Sequence, residues 1–510
     1  MGKKKPKGPD FARGVALTEF ADGALLQGHF KGDPIVVARI KDAYFAIGAS
    51  CTHYGGPLAD GIMARDTIRC PWHHACFSLR TGEAIRAPAL LPVTCWKVET
   101  TESKLFVRGK QTTKKPQPAG HAKSLKRVVI VGGGGAGEAA AEMLRREGYQ
   151  GHLTMISADD NVPYDRPALS KDFLNGSASK KLLPLHTSDF YRRHEIDLVL
   201  NTPVAAIDPR NKSLQLVKGG RRKFDALLLA TGAVPVKLDI PGATLPHVSY
   251  LRTRGDCNAI VARAAKAKRV VLIGASFIAM EVASSLVQRK LEVHVVAPEA
   301  IPMERVLGPE VGAYLHRLHE RKGVVFHLQQ SVIAIDERKV TLKDGATIEA
   351  DLVVIGVGVK PLTELAEQAG LETDRGVIVN EYLETSVPGI FAAGDIARWP
   401  DPHTGDRIRV EHWVVAQRQG QTAARNILGQ RERFDAVPFF WTTQFDFTLN
   451  YVGHAEKWDK LDLDGSIEDQ NCKLSFLREG KTLAIATIGR DRACLEAELA
   501  MELSDRRPGG

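Results

Sequence analysis

The first hundred or so residues are short apolar runs broken by turn residues, a pattern of strands rather than helices. Ile35-Val-Val-Ala-Arg-Ile40, a turn at Lys41-Asp42-Ala43 and Tyr44-Phe-Ala-Ile47 predict one hairpin. Cys95-Trp-Lys-Val-Glu99 running into Leu105-Phe-Val-Arg108 predicts a second. Residues 12–110 therefore read as a β-rich domain. Lys110–Lys126, rich in Lys, Pro, Thr and Gln, reads as an extended linker, bounded as 111–125. The texture then changes. Arg127-Val-Val-Ile-Val131 is a continuous apolar run ending in glycines and followed by a helical pattern over Ala139–Glu147. Arg269-Val-Val-Leu-Ile273 repeats this arrangement 142 residues later. Two strand–turn–helix units predict two Rossmann-like α/β nucleotide-binding domains. From Phe434 the chain turns aromatic and strand-like again, enough for a small C-terminal α+β domain over 434–510.

Length and composition agree with this multidomain division. The 510 residues, 44% hydrophobic and 25% charged, suit about three or four globular domains and exclude wholesale disorder. The longest nearly unbroken apolar stretch, Ala226–Val236, falls far short of the ~20 residues of a membrane span. The formal net charge of +9 is concentrated in two places. Met1–Phe11 carries +3 and Arg108–Arg127 carries +7, so the rest of the chain is close to neutral. Such runs read as solvated tails and linkers, and nucleic-acid binding is not expected. The start MGKKKPKGPDF lacks a secretory h-region, and Pro6 does not fit the myristoylation pattern. Seven cysteines without a repeating framework point to a reducing compartment, and a cytoplasmic protein is expected.

The chemistry of the β-rich domain lies in Cys51-Thr52-His53 and Cys70-Pro71-Trp72-His73. Each loop supplies one thiolate and one imidazole, the mixture a Rieske [2Fe–2S] cluster takes as two Cys on one iron and two His on the other. A four-ligand zinc site is the alternative, but zinc sites usually pair Cys with Cys and His with His along the chain. Metal ligands are accordingly assigned to Cys51, His53, Cys70 and His73, with His74 a bystander and Cys76 a small buried residue. The segment resembles the Rieske ferredoxin family. The high-potential branch of that family has an extra Cys in each loop, where this chain has Gly56 and Trp72. It also has Ser and Tyr hydroxyls where this chain has Ala75 and Phe77. Fewer hydrogen bonds to the cluster imply the low end of the Rieske range, roughly −150 mV.

Gly132-x-Gly134-x-x-Gly137 follows a strand and opens a helix, as a dinucleotide-binding turn requires. Asp159, after Leu153-Thr-Met-Ile-Ser157, is placed to bind the adenosine ribose. Pro163-Tyr-Asp-Arg-Pro-Ala-Leu-Ser-Lys171 resembles the flavin-contacting segment of the ferredoxin-reductase and apoptosis-inducing-factor group of FAD-dependent pyridine-nucleotide oxidoreductases. The resemblance extends to Ala230-Thr231-Gly232, Phe391-Ala-Ala-Gly-Asp395 and Glu411-His412-Trp413. It implies that Arg166 and Lys171 lie by the flavin, that Asp395 holds the ribityl chain, and that 411–413 line the isoalloxazine. Gly274-Ala-Ser-Phe-Ile-Ala279 matches the NAD(P) turn with Ser276 and Ala279 in place of two glycines. By the same resemblance Glu281 reaches the nicotinamide pocket and pairs with Lys171. Gly356-Val-Gly358 fits the returning strand of that domain. Ala297 sits where an NAD-binding acid is expected, with Glu299 two residues on and no basic residue directly after the strand, which favours NADH over NADPH. No Cys-x-x-Cys lies in the first helix region, which argues against a disulfide reductase.

Nearly the whole chain is thus similar to an apoptosis-inducing-factor-like oxidoreductase with an N-terminal Rieske domain. The resemblance implies a Rieske domain at 12–110, an FAD domain at 126–245 and 366–433, an NAD(P) domain at 246–365, and an interface domain at 434–510. It implies electron flow from NAD(P)H through FAD to the cluster and on to an unknown one-electron acceptor protein. Lys171 and Glu281 would act as catalytic residues that position hydride transfer to the flavin. Over ~15 flexible residues the linker would reach roughly 20 Å and let the Rieske domain move, either docking near the flavin or reaching an external acceptor. The reductase of an oxygenase system, or a slow-turnover redox-sensing flavoprotein, are alternative readings. A monomer or a homodimer through the C-terminal domain are both compatible with the sequence.

Overall fold

The computed structural model describes residues 7–111, 125–179 and 183–504. The expected basic linker therefore lies outside the described residues apart from its two ends. The N-terminal domain holds a six-stranded antiparallel sheet in the order Val15–Ala16, Lys104–Gln111, Cys95–Thr100, Ala43–Gly48, Asp33–Ile40 and Leu25–Phe30. Both expected hairpins are present, the first closed by Lys41 in the left-handed region at φ 52°. A second antiparallel sheet contains Ile62–Ala64, Thr67–Arg69, Cys76–Ser78 and an edge strand, β1 (Ala84–Arg86). The segment carrying Cys51 and His53 follows strand Ala43–Gly48. The one carrying Cys70 and His73 joins Thr67–Arg69 to Cys76–Ser78.

The next domain is a five-stranded parallel sheet with β2 (Arg127–Val131) at its centre, flanked by His152–Ile156 and Ala226–Leu229. Four of the five β2 residues are buried, as the unbroken apolar run requires. The helix expected over Ala139–Glu147 is longer and begins earlier, as α1 (Gly135–Arg146). Gly132 makes this possible by taking φ +121°, where a Cβ would meet the Ala230 carbonyl oxygen at 2.0 Å. Residue 135 onward is already helical. The repeat forms a second parallel sheet around β3 (Arg269–Ile273), followed by α2 (Phe277–Gln288).

Gly356-Val-Gly358 is not in the returning strand. That strand is Leu352–Ile355, and 356–358 form the turn after it, with Gly358 at φ +108°. From this turn Val359–Pro361 pairs antiparallel with Ala233–Pro235 and leads the chain back to the first nucleotide-binding domain. That domain is completed by Ile390–Ala392 and α3 (Trp413–Ile427), which packs along α1. The C-terminal domain is a five-stranded antiparallel sheet edged by β4 (Phe439–Gln444) and covered by α4 (Asp491–Ser504).

The N-terminal domain is seated on the others rather than free to swing. The exposed backbone of edge strand β1 is read by side chains of α1 and α3. Arg146 donates to the Ala84 carbonyl at 2.7 Å, and Arg425 to that of Ile85 at 3.2 Å. Ala87 N–H donates to Gln421 Oε1 at 2.9 Å, covering an edge that would otherwise seek another strand. Beside it, Arg69 pairs with Glu498 at 3.3 Å and with Glu502 at 2.7 Å, Arg86 pairs with Glu502, and Arg418 pairs with Glu498 at 2.6 Å. Glu498 is fully buried. Removing one partner from such a lattice strands a buried charge at a cost of about 3–5 kcal/mol.

Candidate redox site

The four expected cluster ligands come together at the tip of the N-terminal domain. Cys51 and Cys70 are buried free thiols, one on each loop. The imidazoles of His53 and His73 stand 5.0 Å apart at 84°. Burial holds His53 down at about 4 and lowers His73 as well, so both rings are neutral, the form in which histidine binds metal. His53 Nδ1 is buried without a hydrogen-bond partner among the described residues, as an atom reserved for a metal would be. Among the described residues no three potential ligands converge on a single ion. A two-iron cluster takes its ligands as two pairs and needs no such convergence, whereas a zinc site does. Gly56 explains the missing loop cysteine: a Cβ there would sit 2.6 Å from Cys70 Sγ and 3.2 Å from Trp72.

Two of the residues expected to bind flavin, Arg166 and Trp413, lie against the first glycine turn. A Cβ on Gly137 would meet the Gly132 carbonyl oxygen at 1.9 Å, so strand and helix approach as closely as a dinucleotide turn demands. A Cβ on Gly134 would lie 3.5 Å from the Arg166 guanidinium, which stands at the mouth of the turn. Trp413 packs against the start of α1 over Gly135. His412 Nδ1 and Trp413 Nε1 are buried with no partner among the described residues, as fits a site that binds a polar cofactor. Burial lowers His412 to about 3. Glu411 pairs with Arg409 at 2.6 Å. Thr231 donates to the Leu362 carbonyl at 3.0 Å, beside Gly232 at φ +73°. Asp159 accepts from Tyr164 at 2.7 Å and from Asn161, which fixes the loop it leads. Asp395 accepts from Arg252 at 2.6 Å. Arg252 is a site residue that the sequence reading missed, since nothing in its local pattern marks it.

At the second turn, Gly274 takes φ +107°, and a Cβ there would meet the Gly356 carbonyl oxygen at 2.5 Å. Ala279 is tolerated in place of the third glycine because Gly356 lies opposite it, with 3.2 Å to a Cβ built there. Ser276 donates to the Gly356 carbonyl at 3.2 Å. Glu281 is buried and accepts from Lys171 at 2.7 Å, the pairing the resemblance implies. Two further donors went unforeseen: Ser170 at 2.6 Å and Thr442 of β4 at 2.8 Å.

The cluster tip abuts this site. The Tyr54 phenol donates to Asp165 in the flavin-contacting segment, and burial raises Asp165 to about 6. The His73 ring lies 4.2 Å from that of Trp441, and Lys171 Nζ lies 6.0 Å from the same indole. β4 presents alternate residues to the two neighbours, as a strand must. Phe439 and Trp441 face His74 and His73, while Phe440 and Thr442 face Phe277 and Glu281. His74, expected to stand outside the ligand set, has a structural contact of its own. It is fully buried and lies 3.0 Å from Glu498.

The fold and these two sites define a flavin- and nicotinamide-dependent oxidoreductase carrying a Rieske domain. The chain belongs to the pyridine nucleotide-disulphide oxidoreductase family, which matches residues 126–420. The Rieske [2Fe-2S] domain family matches residues 15–97, and the reductase C-terminal family matches 439–506. The chain is 33% identical to human apoptosis-inducing factor 3 over 93% of its own length and 81% of that protein's. It is 34% identical to the ferredoxin–NAD(+) reductase subunit of the benzene 1,2-dioxygenase system of Pseudomonas putida, over 72% of this chain and 90% of that subunit. The crystal structure of the covalent putidaredoxin reductase–putidaredoxin complex superposes with a TM-score of 0.72 at 32% identity, covering 74% of this chain and 93% of that one. The protein is thus an FAD- and NAD(P)H-dependent reductase with a fused [2Fe–2S] domain.

Proposed function

We propose that the chain carries electrons from NADH, by way of its flavin, to its own Rieske cluster and from there to a one-electron acceptor protein. The observation that carries this reading is the packing of His73 against Trp441, the same indole that lies 6.0 Å from Lys171 Nζ. Bound FAD supplies the exchange of a two-electron donor for one-electron steps, and the cluster supplies a one-electron carrier. The chain's own residues bind and orient. Gly132, Gly134, Gly137 and Arg166 form the pyrophosphate cradle, with Asp159 toward the adenosine ribose. Thr231, Gly232, Asp395 and 411–413 hold the rest of the flavin. Gly274 and Gly358 let the nicotinamide nucleotide approach, and Glu281 and Lys171 orient its ring. Cys51, Cys70, His53 and His73 hold the irons. Ala297 at the end of its strand and exposed Glu299 favour NADH.

The oxygenase reductases among the relatives favour an acceptor in an oxygenase system as the second reading. All seven cysteines are free, which supports a reducing, cytoplasmic setting. No described helix is long and apolar enough to cross a membrane. Anaerobic rapid mixing with NADH tests the proposal: flavin bleaching followed by cluster reduction within the turnover time supports it. A long-lived reduced flavin beside an oxidised cluster would refute it.

A further inference from the structure

The two ligand loops share a feature that neither spacing nor ligation requires. In each, the residue directly after the ligand histidine makes a polar side-chain contact with the reductase. Tyr54 follows His53 and hydrogen-bonds Asp165, while His74 follows His73 and meets Glu498. The first loop is closed on itself, with Cys51 N–H donating to the Gly56 carbonyl at 2.8 Å and Gly55 N–H to that of Cys51 at 2.9 Å. A pull on Tyr54 is therefore felt at both ligands of that loop. The Tyr54 ring stacks on His53 at 4.0 Å and 11°, and meets His73 edge-on at 5.4 Å. In the second loop His74 takes φ +61°, turning its side chain away from the cluster. Its ring stacks on Phe439 at 4.0 Å, and its carbonyl accepts from Arg418 at 3.2 Å. Neither Tyr54 nor His74 belongs to the expected ligand set.

We infer that Tyr54 and His74 are a paired docking code that fixes the histidine edge of the cluster against this chain's own reductase domains, Tyr54 on the flavin-contacting segment and His74 on the C-terminal domain. One anchors each ligand loop, so that both imidazoles are held at a set position from the flavin segment. They are positioning residues, acting through His53 and His73. The inference rests on the flavin-to-cluster direction proposed above, but its structural content does not.

The test uses the full-length holoprotein and its Tyr54→Phe and His74→Asn variants, with two readouts. Hydrogen exchange followed over peptides 51–57 and 70–76 reports docking. A hydrogen bond to a charged group contributes enough that exchange in the affected loop should quicken by about tenfold in the matching variant. Stopped-flow absorbance reports transfer. Cluster reduction should slow by about tenfold in each variant, while flavin reduction by NADH and the cluster's electron paramagnetic resonance signature stay as in the native chain. Unchanged exchange in Tyr54→Phe overturns the docking code whatever the electrons do. Quickened exchange with an unslowed cluster confines the pair to structure and overturns their positioning role. Absence of flavin-to-cluster transfer in the native chain instead refutes the proposed electron direction, and the exchange readout still decides the docking code.

Discussion

Trp441 packs 4.2 Å from His73 at 49°, so a residue of the C-terminal domain touches a cluster ligand of the N-terminal one. Lys171 Nζ, in the flavin-contacting segment, lies 6.0 Å from the same indole. Trp441→Leu should therefore loosen the approach and slow cluster reduction by about tenfold or more, with iron content unchanged. Trp441→Phe, which keeps a ring, should lose less. Equal rates in all three chains, measured by stopped-flow absorbance, would remove Trp441 from the account.

The Lys171–Glu281 pair predicts a different phenotype. Glu281→Gln keeps an acceptor oxygen but loses the charge that holds Lys171, so flavin reduction by NADH should slow by about tenfold. Thr442→Val removes one of the donors to Glu281 and should cost about fivefold. In neither variant should electron exit from a chemically reduced cluster change, and a steady-state assay with dithionite-reduced protein checks this.

Gly56→Ala should prevent cluster assembly. The added Cβ would lie 2.6 Å from Cys70 Sγ, closer than contact allows, with Trp72 closing the other side. Purified protein should lose iron and acid-labile sulfide while keeping bound FAD. Full iron content in this variant would show that the loop opens freely.

Buried Glu138 predicts a pH dependence of stability. Burial raises its pKa from 4.5 to about 8, although Tyr191 donates to it at 2.8 Å. A carboxyl raised in the folded state binds its proton more tightly there than in the unfolded chain. Stability is therefore lost as pH rises from about 4.5 to about 8. Neighbouring Glu142, raised by burial to about 7, works in the same direction. Glu138→Gln should flatten the profile and melt higher than the native chain at pH 8 in thermal denaturation. A native profile already flat over this range would contradict the burial argument.

The chemistry of this chain was legible wherever it is local. The glycine turns at 132–137 and 274–279 and the two Cys/His loops read directly, because a few adjacent residues dictate each geometry. Lys171 and Glu281 could be paired only through resemblance, since 110 residues separate them. The seating of the N-terminal domain was not legible. Arg69 meets Glu498 and Glu502 across more than four hundred residues, and nothing around any of them marks a buried ion lattice. For the same reason a lysine-rich linker suggested a swinging domain, whereas the side chains reading β1 hold it in place. The ligand spacing places His74 outside the cluster ligands, and its contact with Glu498, 424 residues away, has no local signal in the sequence.

The central claim is that the cluster takes its electrons from the flavin of the same chain. Anaerobic mixing of the holoprotein with NADH at several protein concentrations tests it most directly. An intramolecular route predicts that the cluster is reduced after the flavin, with a rate constant that does not change with protein concentration. A rate that rises in proportion to protein concentration, or a cluster still oxidised after the flavin is fully reduced, would contradict it.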